Sequence, residues 1–145
     1  MMHSSLTSVV ALALLFVAQG AAGPIHARQV GNLDCNLARV RIIGALASTA
    51  DTVKQLPLDL NTAQALAGVG IAQAGIEQIV VALFNNQTAP PAARDLVGSG
   101  LTDARTALAS VNVTAGGADE CGLQKAQASL EAAIDAGNDV VTLCK

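Results

Sequence analysis

The sequence predicts an all-α fold, an antiparallel four-helix up-down bundle following a cleaved signal peptide. Three observations carry this expectation. Apolar residues recur at helical spacing in four segments of similar length, and Pro, Gly and Asn breakers separate those segments. No segment alternates apolar and polar residues as a half-buried strand would.

The chain opens on an apolar run, Ser8 to Ala18, that is too short to span a bilayer with normal flanks. Small residues follow at Gly20, Ala21, Ala22 and Gly23, then Pro24. This order is that of a secretory signal peptide, with cleavage expected after Gly20 or Ala22. Residues 1–22 are therefore assigned to the signal and 23–31 to a flexible tail, leaving 32–145 for the bundle. The mature part carries all 8 basic and 11 acidic residues, hence the net charge of −3. No basic patch runs along it, which argues against nucleic acid and anionic membrane surfaces as partners. With no Trp or Tyr, and Phe84 its sole Phe after processing, the core must be built from Leu, Ile, Val and Ala. Such a core offers no aromatic platform for stacking sugars or bases.

The first helical segment runs from about Asn32 to Leu56. Leu37, Val40, Ile43, Gly44, Ala47 and Ala50 mark its apolar face, widened by Ile42, Leu46 and Val53, and Pro57 ends it. The second starts at an Asn61-Thr62 cap and continues to about Asn85. Leu66, Val69, Ile76, Ile79, Val80, Leu83 and Phe84 form its expected core face, and Glu77 is its single charge. The pairs Gly68/Ala72 and Gly70/Ala74 would let a neighbour approach closely. Two readings stay open for this segment: a mostly buried central helix, or a face that meets an apolar ligand, surface or partner.

Pro90-Pro91 opens the third segment, which reaches about Ser110 with Val97, Leu101, Ala104 and Leu108 on one stripe. The fourth opens near Asp119 and Glu120, acids suited to a helix N-terminus. Its stripe, Leu123, Ala126, Leu130, Ala133, Ile134, Gly137, Val140 and Cys144, is close to heptad spacing. No membrane-spanning segment is expected in the mature chain.

An exported protein meets an oxidising environment, so at least one bridge among Cys35, Cys121 and Cys144 is expected. Cys121 and Cys144 sit on one helix roughly 35 Å apart at about 1.5 Å per residue, too far to pair. In an up-down bundle Cys35 and Cys144 share an end, which makes them the expected disulfide and leaves Cys121 unpaired. Three readings remain for Cys121: a shielded thiol, a reactive thiol, or a bridge to a second copy that would make the protein a dimer. Asn86-Gln87-Thr88 and Asn112-Val113-Thr114 fit the N-glycosylation sequon, so Asn86 and Asn112 are candidate glycan sites.

Catalytic residues are not expected. The one mature histidine, His26, falls in the tail, so a Ser or Cys nucleophile has no base within the bundle. The cysteines are scattered rather than clustered for zinc, and Asp135 and Asp139, one turn apart, read as solvated helix surface. No cofactor or metal is implied.

The stretch Leu33-Asp34-Cys35-Asn36-Leu37-Ala38-Arg39 through Ile42-Ile43-Gly44-Ala45-Leu46, with the ending Ala136 to Cys144, resembles uncharacterised small secreted proteins of filamentous fungi. A signal peptide followed by Ala-rich helices is also similar to the hydrophobic surface binding protein A and cell-wall galactomannoprotein group. That likeness implies a helical protein that binds apolar surfaces or lipids. The chain departs from that group in its Cys35/Cys144 pair, so no binding residue carries over. The expected function is a secreted, non-catalytic binding protein of fungal effector, elicitor or cell-wall type, found extracellularly or in the cell wall. Its expected partner is an extracellular protein, a cell-wall component or an apolar ligand. The alternatives are a carrier or coat protein for a lipid or hydrophobic surface, and a secreted enzyme inhibitor.

Overall fold

The computed structural model describes residues 32–113 and 117–144. The expected signal peptide, the tail with His26, and Thr114 of the second sequon lie outside the described residues. The described residues form four helices, α1 (Leu33–Val53), α2 (Leu60–Phe84), α3 (Pro91–Ala109) and α4 (Ala118–Leu143), and no strand. The helical-bundle expectation holds.

Local chemistry sets the helix ends. The Asn32 side chain accepts a hydrogen bond from the Cys35 amide at 3.2 Å and so caps α1. Its amide nitrogen also donates to the Leu143 carbonyl at 2.8 Å, fastening the start of α1 to the end of α4. The cap of α2 is Asp59, two residues before the expected Asn61. The Asp59 carboxylate accepts from the Thr62 amide at 2.7 Å, and the Asp59 amide donates to the Thr62 hydroxyl at 2.9 Å. This reciprocal box satisfies two amides that open the helix, whereas Asn61 donates to the Ser110 carbonyl at 2.8 Å and ties α2 to the end of α3. At the far end of α2, Asn86 adopts a left-handed φ of 55°, and the Gln87 amide returns to the Ala82 carbonyl at 2.8 Å. Asparagine tolerates that conformation better than most side chains, which suits it to close the helix. Pro91 then starts α3 at a position that needs no N–H.

The helices associate as two tight pairs. In the first, α2 and α3 run antiparallel at backbone contact. A Cβ on Gly68 would lie 2.7 Å from the Gly100 carbonyl oxygen, and one on Gly75 would lie 2.7 Å from that of Ala93. Gly70, expected to share this role, faces open space. In the second pair, α1 and α4 are joined by the Cys35–Cys144 disulfide, with Cα atoms 5.1 Å apart. An Arg41–Asp139 ion pair at 3.6 Å and a Ser48–Ser129 hydrogen bond at 3.1 Å continue this contact down the helices. The two pairs meet across a core whose largest fully buried side chains include Leu46, Val53, Val69, Leu108 and Leu130. Between them run the Arg105–Glu131 ion pair at 2.9 Å and a bond from Gln127 to the Leu108 carbonyl at 3.3 Å.

Two expected core faces need correction. On α1 the buried residues are Cys35, Ala38, Ile42, Leu46, Thr49 and Val53. Leu37, Val40, Ile43, Gly44 and Ala47 lie outside. The helix is apolar on both sides, and the inward side carries Ile42, Leu46 and Val53 together with Cys35 and Ala38. Thr49 can be buried there because its hydroxyl donates to the Ala45 carbonyl at 2.8 Å. On α2 the contact with α3 runs along Gly68, Ala72, Gly75 and Ala82. Of the larger residues expected inside, Val69 is buried, Leu66, Ile76, Ile79, Val80 and Leu83 are half-buried, and Phe84 is 85% exposed.

Candidate apolar binding site

The core is unevenly distributed along the bundle. Near the Pro57 turn and the α3–α4 connection, every core-facing stripe is buried: Val53 and Leu56, Thr62 and Ala65, Leu108 and Val111, Leu123 and Ala126. Toward the disulfide, contact within each pair persists. Cys35 and Ala38 remain buried along the α1–α4 seam, as do Ala82 and Ala93 along the α2–α3 seam. The larger side chains between the pairs are less covered there. At Gly137 a Cβ would lie 3.5 Å from Ile42 Cδ1 and 4.0 Å from Leu101 Cδ1, so α4 approaches both α1 and α3 at that point.

Toward the disulfide the stripes continue in sequence with less cover. On α2, Ile79, Val80 and Leu83 follow Val69, Ala72 and Ile76 at helical spacing, yet they are half-buried and lie outside the core cluster. On α4, Val141 stands one heptad past Ile134, on the side that faces the other pair, and is 74% exposed. Val140 beside it is half-buried. The core-facing stripes are thus fully covered near the Pro57 turn and only partly covered toward the disulfide.

A second apolar surface lies on the back of α1. Leu33, Leu37, Val40, Ile43, Gly44 and Ala47 share the face turned away from the core, and Val40 is 66% exposed. Scattered exposed aliphatic residues are ordinary on protein surfaces, whereas contiguous ones mark binding sites. The outward apolarity of α2 fits the same picture. By length and composition this helix could cross a membrane, with a mean hydropathy of 1.6, but only 28% of its most apolar stretch is buried.

A shallow groove of about 360 Å³ between α1 and α4 is lined by Arg41, Gly44, Ala45, Ala132, Asp135, Ala136 and Asp139. Asp139 is engaged there by Arg41, and no cluster of three or more His, Cys, Asp or Glu side chains occurs among the described residues.

The expected site residues fall as follows. Cys35 and Cys144 are bonded to each other, and Cys121 is unpaired and exposed in the first turns of α4, remote from the bridge. Asn86 is exposed in the α2–α3 turn beside the partly covered end, and Asn112 is exposed in the α3–α4 connection. Val141 was not singled out by sequence reasoning. The available signal was its heptad relation to Ile134 on a core-facing stripe.

No known protein family, curated protein or solved structure matches this chain. Its own surface chemistry therefore carries the functional reading.

Proposed function

We propose that the mature chain is a secreted, non-catalytic binding protein that carries a lipid or another apolar ligand at the partly covered end of its bundle. The supporting observation is the loss of cover along the core-facing stripes at Ile79, Val80, Leu83 and Val141, while both seams beside them stay closed. Each such side chain, if fully covered, would contribute about 1.5–3 kcal/mol relative to full exposure. The half-buried ones have less than that left to gain. A ligand covering several of them together would still offset a good part of its own ordering cost. This reading places the carrier function ahead of an effector or elicitor that works through a protein target. The exposed back of α1 favours the latter as the second reading, because a partner helix could dock along Leu33, Leu37 and Val40.

Solvent extraction of protein recovered from the culture medium tests the first reading. A near-stoichiometric amphiphile in the extract is expected. Protein that yields none, and that also fails to bind an acyl probe, would contradict it.

A further inference from the structure

Phe84 is the last residue of α2 and the only Phe, Tyr or Trp outside the expected signal. An aromatic ring is ordinarily drawn toward the core, where it removes a large apolar area from water. Phe84 is 85% exposed instead. The residues after it are held by their backbone bonds. The Asn85 amide donates to the Ala82 carbonyl at 3.1 Å, the Asn86 amide to the Leu83 carbonyl at 3.0 Å and the Gln87 amide to the Ala82 carbonyl at 2.8 Å. The φ of 55° at Asn86 then turns the chain off the helix. The Asn85 side chain is engaged, donating to the Val81 carbonyl at 3.0 Å. The Asn86 side chain has no such bond among the described residues and is exposed, as are Gln87 and Thr88. An acceptor amide, a threonine two residues after it and an exposed ring two residues before it thus share one five-residue turn.

We propose that Asn86 carries an N-linked glycan whose first N-acetylglucosamine packs on the ring of Phe84. The donor is a lipid-diphosphate-linked oligosaccharide of the secretory pathway, so this rests on the export contained in the reading above. Asn86 Nδ2 forms a bond to C1 of the sugar, and the C1–O bond to the diphosphate breaks. The lipid diphosphate leaves with the bonding electron pair, and one amide proton is lost to base. A pyranose presents C–H groups on its faces, which suit the electron-rich face of an aromatic ring. Packing there also takes from water the bulkiest of the exposed apolar side chains. Asn112 has no comparable partner. It stands between buried Val111 and half-buried Val113, which packs against the core. The length of α3, about 28 Å at about 1.5 Å per residue, separates it from the Phe84 turn.

Peptide mass spectrometry of protein recovered from the culture medium should find an N-acetylglucosamine core on the Asn86 peptide. Thr88→Ala then removes the acceptor sequence while keeping Asn86, whose left-handed φ few other side chains adopt. In the wild-type background this change should remove the glycan and lower the melting temperature by at least about 3 °C. In a Phe84→Ala background it should shift melting by less than about 1 °C, because the sugar has lost its ring. Phe84 is exposed enough that its own substitution leaves the fold intact. Secreted protein with Asn86 unmodified, or with a glycan on Asn112 alone, would overturn the proposal and leave the apolar-ligand reading in place. Unmodified protein found only inside the cell would overturn the export on which both rest. Equal melting losses in the two backgrounds would overturn the packing of the sugar on Phe84.

Discussion

Gly68 and Gly100 bring α2 and α3 to backbone contact: a Cβ on Gly100 would lie 2.5 Å from the Gly68 carbonyl oxygen. The nearest atoms belong to backbone, including the Ala72 amide nitrogen at 2.6 Å, so neither helix can yield by turning a side chain. The contact has a direct consequence for stability. Gly100→Ala should destabilise the protein by about 1–3 kcal/mol through overpacking, despite the better helix propensity of alanine. Gly98→Ala, two residues away with nothing within 4 Å, should stabilise it by up to about 1 kcal/mol. Urea denaturation of the two variants gives both signs.

The disulfide between Cys35 and Cys144 joins positions 109 residues apart in sequence. Cys35→Ser should cost about 2–5 kcal/mol, as expected for loss of a native bridge from a small domain. Cys121 is exposed and bonded to neither, so Cys121→Ser should change stability by no more than about 0.5 kcal/mol. Non-reducing peptide mapping should recover the Cys35–Cys144 pair, and chemical denaturation measures the two costs.

Leu130 and Val40 separate the inner and outer faces of the α1–α4 pair. Leu130 is fully buried, so Leu130→Asp should cost at least about 3 kcal/mol and unfold much of the population. Val40→Asp should stay within about 0.5 kcal/mol of wild type, because its side chain already faces water. Thermal melts followed by circular dichroism distinguish the two. A large loss in Val40→Asp would mean that the back of α1 is covered.

Much of the fold was legible in the sequence because several independent local signals agreed. Pro91 starts α3, acids open α4, and the stripe of Leu123, Ala126, Leu130 and Ala133 is buried as its spacing indicates. The cysteine pairing followed from helix length, which separates Cys121 from Cys144, together with the up-down order that puts Cys35 and Cys144 at one end. On α1 the expected face was centred on Leu37, Val40 and Ile43, whereas the buried face centres on Ile42, Leu46 and Val53, which the pattern had placed at its margin. On α2, Ile79, Val80 and Leu83 carry a valid core pattern but are half-buried, and nothing local records how much cover they receive. A hydrophobic stripe states which face is apolar, and only the tertiary arrangement decides whether it is covered.

The account rests on ligand binding at the partly covered end rather than along the back of α1, and one titration separates these surfaces. An environment-sensitive acyl probe is added to wild type, Leu83→Asp and Val40→Asp, each first shown to be folded. Leu83→Asp should weaken binding by at least about tenfold, roughly 1.4 kcal/mol, because it places a carboxylate on the partly covered stripe of α2. Val40→Asp should bind within about twofold of wild type. The reverse pattern, with Val40→Asp losing the probe and Leu83→Asp retaining it, would contradict the account and place the ligand on the outer face of α1.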